Sequence, residues 1–144
     1  MLVRMRETTA DRVREDQAPY RTKAGNLFSH EDLDVYQTEM RLISWLDRMS
    51  SQFTCSSDLL SRLDKSTTSI VLNTVEGNGR FSGTDQAKFL GIAYRATVQS
   101  ATLVDLTTVG SCPADPSPVE EGRDLLRRIA AMLRQLSKAV RDDI

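Results

Sequence analysis

The sequence predicts an all-α protein, an up-down-up-down antiparallel four-helix bundle, on three observations. Apolar residues recur at helical spacing through four long stretches, and no stretch alternates apolar and polar residues as a half-buried strand would. The three breaks between the stretches are short, which favours antiparallel neighbours. With 144 residues the chain is long enough for one domain with a real core and too short for two comfortable ones. At 40% hydrophobic and 27% charged, with Gly 7 and Pro 4, it has the composition of an ordinary globular chain rather than a linker-rich or disordered one. It divides into an N-terminal arm over 1–26, disordered or partly helical, and a bundle domain over 27–144.

The first helix is expected to start near Ser29, whose hydroxyl can cap it and whose neighbours Glu31 and Asp32 suit a positive helix N-terminus, and to run to about Phe53. The second starts after Ser56 or Ser57, carries Leu59, Leu60, Leu63, Ile70 and Val71 inward, and stops at Gly77 or Gly79, where glycine can take the left-handed conformation at no steric cost. Ser82 or Thr84 caps the third, which runs to about Gly110. The segment 112–118, with Pro113, Pro116 and Pro118, is read as non-helical because proline lacks an amide donor and restricts its predecessor. The fourth helix runs from about Val119 to Arg141.

That topology puts Cys55 and Cys112 at the same end. Sharing an end does not by itself bring two Cα atoms to disulfide distance, and two free thiols are the expectation for a reducing compartment. The opposite end holds the Gly77/Gly79 turn and both chain termini. Metal binding is not expected, for His30 is the single histidine and falls away from the cysteines. No secretory signal is visible among Arg4, Arg6, Glu7, Asp11, Arg12, Arg14, Glu15 and Asp16, so a cytoplasmic setting is expected. Residues 89–109 are poor in charge, but Arg95, Gln99, Asp105 and several hydroxyl side chains make a buried helix a better account than a membrane span.

The turn motif identifies a family. Ser69-Ile70, Asn73, Glu76-Gly77-Asn78-Gly79-Arg80-Phe81-Ser82, followed by Asp85 and by Phe89-Leu90 and Ile92-Ala93, resembles the small four-helix-bundle proteins found in intervening sequences of bacterial large-subunit ribosomal RNA genes. Phe28, Leu33-Asp34-Val35-Tyr36-Gln37 and Met40 look like that family's first helix, so the resemblance covers roughly Phe28 to Arg141. It implies a homo-oligomer, a five-fold ring, with no activity or cofactor attached. The accessory variability proteins of diversity-generating retroelements are similar in architecture and associate with reverse transcriptase and nucleic acid, which makes RNA, DNA or a nucleic-acid enzyme the partners to test. This chain departs from the family at Arg95-Ala96, Gln99 and Ala101, where the family has Gly-Ser and then glutamates.

The first and third helices carry apolar residues around more of their circumference than one intramolecular stripe needs. Leu42, Trp45, Met49, Tyr94 and Val98 are therefore candidates for contact with neighbouring subunits, against the simpler reading of scattered exposed apolar residues. No nucleophile, base and orienting group can be placed together, so a non-enzymatic protein is expected. Two readings stand for Glu76 and Arg80: an ion pair bracing the turn together with Asn73, or an anion contact by Arg80. Net charge is −1, so any attraction to a polyanion has to be local. The local candidate is Arg123, Arg127, Arg134, Lys138 and Arg141, which fall on one line of the last helix, opposite its apolar face. The arm adds six basic residues against four acidic ones. A solvated amphipathic face explains the line as well as a phosphate track does.

Overall fold

The computed structural model describes residues 28–53, 55–109 and 117–143. Four long helices account for most of them, and no strand occurs among the described residues. They are α1 (Asp34–Met49), α2 (Ser57–Gly79), α3 (Gly83–Thr108) and α4 (Ser117–Asp142), with 3-10 turns at Ser29–Asp32 and Ser50–Gln52. The arm over 1–26, Cys112 and the other residues of 110–116 lie outside the described residues; Cys55 is a free, half-buried thiol.

The helix starts follow side-chain chemistry where a hydroxyl is in place. Ser56 accepts from the Leu59 N–H at the head of α2, and Ser82 accepts from the Asp85 N–H at the head of α3, each satisfying one orphan amide. The first helix differs from expectation. Leu33 is extended (φ −74°, ψ 130°) and separates the 3-10 turn from α1, so Ser29 does not cap it; its Oγ instead accepts from Asn78 Nδ2 at 2.8 Å, tying this entry segment to the end of α2. The far end of that helix also tightens into a 3-10 turn, so the α-helix stops at Met49, short of Phe53. Ser117 and Pro118 belong to the first turn of α4, where a proline costs nothing because its missing donor would have no helical partner.

Helix α2 does end at Gly79, as expected, but the left-handed conformation expected there is corrected: the cap is Arg80 in an extended conformation (φ −80°, ψ 142°), and neither glycine takes a positive φ. Gly77 is a packing notch: a Cβ there would lie 3.3 Å from the Gln86 carbonyl oxygen and from Phe89 Cβ, the other side of the turn. Asn73 does not brace the turn either, since its amide donates back to the Ser69 carbonyl at 2.8 Å within α2.

Each helix has two principal neighbours: α1 packs on α2 and α4, α2 on α3, and α3 on α4. Leu42, Trp45, Leu63, Ile70, Leu90, Val104, Ile129 and Leu133 fill the space between them. Burial of side chains of this size stabilises by roughly 1.5–3 kcal/mol each. Small polar residues sit where helices approach. Ser66 Oγ lies 2.7 Å from Ser100 Oγ and donates to the Ala96 carbonyl at 3.0 Å, while Thr67 and Thr97 return their hydroxyls to their own helices. Such residues let backbones come close while keeping each buried hydroxyl satisfied. Among the described residues no helix is long and apolar enough to cross a membrane.

A candidate interaction surface on helices α3 and α4

Two candidate interface residues are not on the surface. Leu42 is 0% and Trp45 1% exposed, because α1 is flanked by α2 and α4 and turns the flank that carries them onto its own core. The Trp45 ring lies on Gly122 of α4, and its Nε1 donates to the Pro118 carbonyl at 2.7 Å. Met49 and Tyr94 are half-buried against the same core. Val98, at 49%, is the one exposed member of the set.

Val98 belongs to a solvent-facing line on α3 that a single-helix projection of apolar residues does not reveal. Lys88, Gly91, Arg95, Val98, Thr102, Asp105 and Val109 follow one another at steps of three and four, and all but the half-buried Gly91 are exposed. Its first half is basic, and its second half sets Val98 and Val109, with exposed Leu106 beside them, among Thr102 and Asp105. Between Asp85 and Asp105 the helix carries no acid.

Helix α4 brings its basic line to the edge of that surface. Arg123 pairs with Asp105 of α3 and with Glu120 at 3.2 Å, and the Asp105 hydrogen bond is the main reason its pKa is raised. Arg127 reaches Asp124 at 4.0 Å. Farther along, Arg134 Nη2 donates to the Tyr94 hydroxyl at 2.9 Å while its guanidinium stands 5.5 Å from the centre of the Tyr94 ring. Arg134, Lys138 and Arg141 are exposed, and among the described residues none of the three, nor Lys88 or Arg95, is in ion-pair contact with a carboxylate. The line of five thus separates. Its first two members face acids; of its last three, Arg134 rests on Tyr94, and Lys138 and Arg141 follow it along the exposed side of α4.

Between the helices, beside the paired Arg123 and Asp105, runs an open groove of about 420 Å³ floored by Val98, Ala101, Leu126 and Ala130, with Arg127 at its rim. At the α2–α3 turn Arg80 pairs with Glu76 and holds its guanidinium 4.7 Å above the Phe89 ring, and its backbone N–H donates to the Gly77 carbonyl. Arg80 is therefore engaged in the turn itself. No group of three or more His, Cys, Asp or Glu side chains that could hold a metal ion occurs among the described residues.

Lys88 and Arg95 were missed from sequence because only the line on α4 was long enough to stand out. A count of charges along α3, with two cations and no acid over about five turns, was the available signal. No protein-family model matches the chain, and neither does any curated protein.

Proposed function

We propose that this protein is a non-enzymatic binding scaffold of the cytoplasm, an up-down-up-down antiparallel four-helix bundle whose α3–α4 face contacts the phosphate backbone of nucleic acid. The residue pairs that meet support the topology. Trp45 late in α1 meets Pro118 early in α4, Glu39 early in α1 meets Thr74 late in α2, and Arg134 late in α4 meets Tyr94 early in α3. The observation that carries the functional reading is Arg134 on Tyr94. An aromatic face and a hydroxyl orient a guanidinium without neutralising it, so its charge stays available to an anion.

Binding is expected to show low sequence preference and to weaken steeply with salt. If Lys88, Arg95, Arg134, Lys138 and Arg141 each neutralise one phosphate, the log-log slope approaches about −4, from roughly −0.7 to −0.9 for each. Arg134→Glu together with Lys138→Glu removes binding of a labelled duplex while leaving the circular-dichroism spectrum unchanged, because both side chains are exposed. A parent protein that leaves the duplex free even at low salt, where surface charges are least screened, sinks the reading.

Self-association into a homo-oligomeric ring, five-fold by the family resemblance, is part of the proposal, with Val98, Leu106 and Val109 in place of Leu42 and Trp45 as contacts. Val98→Arg with Leu106→Arg then lowers the light-scattering mass to that of one chain; a parent already at that mass removes the ring. The α3–α4 groove favours one second reading, an adaptor that docks a protein such as a nucleic-acid enzyme without touching nucleic acid itself.

A further inference from the structure

Phe81 is fully exposed, at 104% of the reference area, and is the barest large apolar side chain among the described residues. The fold has no use for it. A residue placed just before a helix cap can staple onto the fourth residue of the helix, but here the cap is Ser82 and that fourth residue is Gln86, buried and polar. The turn is closed by other groups: the Ser82 hydroxyl, the Arg80 N–H and the Glu76–Arg80 pair. Phe81 makes no ring contact among the described residues.

Its surroundings differ from those of an apolar docking knob. Phe89, the next aromatic along, has Arg80 at 4.7 Å and Lys88 at 5.8 Å from its ring centre, so that ring is occupied by cations and Phe81 alone keeps its faces free. Phe81 stands just before the cap of α3, and beyond it the outer line of that helix presents Lys88 and then Arg95, seven residues or about 10 Å apart along the helix axis. A bare ring followed by cations in no ion pair with a carboxylate suits a ligand that has both flat faces and a repeated negative charge. A duplex buries its base faces in its own stack and can offer only phosphates. A single strand can offer both.

We propose that Phe81 is a base-stacking platform and that the nucleic acid preferred by this surface is single-stranded, with its backbone running past Lys88 and Arg95. This rests on the phosphate-contact reading above and gives it a substrate class. The test is fluorescence anisotropy with a labelled mixed-sequence DNA strand of about 20 nucleotides, longer than one stacking site needs, and with the same strand annealed to its complement. The parent protein binds the strand more tightly than the duplex at equal salt. Phe81→Ala weakens strand binding roughly 5- to 150-fold, the range set by loss of one stacked base, and leaves duplex binding unchanged. Phe81→Trp retains strand binding. Strand affinity unchanged in Phe81→Ala, or lost equally from strand and duplex, overturns the proposal while leaving phosphate contact standing. A parent that binds neither form removes both.

Discussion

Gly122→Ala is expected to destabilise the protein by about 2 kcal/mol, within the range for overpacking a filled core and net of what alanine gains over glycine in a helix. A Cβ on Gly122 would lie 2.3, 2.4 and 2.6 Å from three carbons of the Trp45 indole. The ring cannot swing aside at small cost. It is 1% exposed, packs edge-on to Phe53 with centroids 6.1 Å apart, and is pinned by its hydrogen bond to the Pro118 carbonyl. Either the indole loses that bond and leaves its own buried N–H unsatisfied, or α4 moves away from α1. For a domain of this size the melting temperature falls on the order of 8 °C.

The same substitution at Gly91 serves as the opposite control. Only the tip of Arg95, at 3.8 Å, is near a Cβ built there, so Gly91→Ala meets open space and gains roughly 1 kcal/mol from helix propensity. Thermal melts of the two variants should move in opposite directions from the parent. Equal shifts would show that the indole does not rest on Gly122.

Those two glycines mark what a sequence can and cannot convey. The caps Ser56 and Ser82 were legible because a hydroxyl followed by a helical run states its own local chemistry, and the four helices were legible from periodicity. Gly77 and Gly122 were not, since a missing Cβ serves a left-handed turn or a close approach equally well and only the neighbour decides. Leu42 and Trp45 failed for a related reason. Helix α1 packs against two helices, so the flank that carries Leu42 and Trp45 was spent internally. The basic line on α4 was visible, but its partition was not: Asp105, which claims Arg123, arrives from another helix.

Glu39 is the other feature that sequence concealed, and it is expected to make stability fall as pH rises. Its side chain is 0% exposed at the α1–α2 contact, where Thr74 Oγ1 lies 2.8 Å from Oε2 and 2.9 Å from the Ile70 carbonyl oxygen. The threonine hydroxyl has one proton and cannot donate to both acceptors. If Glu39 is the neutral acid, the geometry closes: its own O–H donates to Thr74, and Thr74 donates to Ile70. Burial pushes in the same direction, holding the carboxyl well above the usual carboxylate range despite the opposing Thr74 hydrogen bond. The folded protein then keeps a proton that the unfolded chain releases above about pH 4.3. Its contribution is complete below that pH and is lost, at up to about 1.4 kcal/mol per pH unit, until the folded-state group ionises.

Glu39→Gln separates this effect from the titration of every other group. The amide is neutral at all pH values and can donate to Thr74 as the acid does, so the variant keeps the relay and loses the linked proton. Urea unfolding of parent and variant at matched pH from 4 to 8 isolates the residue, because the remaining carboxylates contribute equally to both. The advantage of the variant over the parent should widen steadily from acid toward neutral pH. A difference that stays constant across the series means that Glu39 is ionised in the fold, and the neutral-acid assignment fails. Glu39→Leu keeps the same test open, since it too removes the titrating group and its pH slope, at the added cost of a different shape beside Thr74.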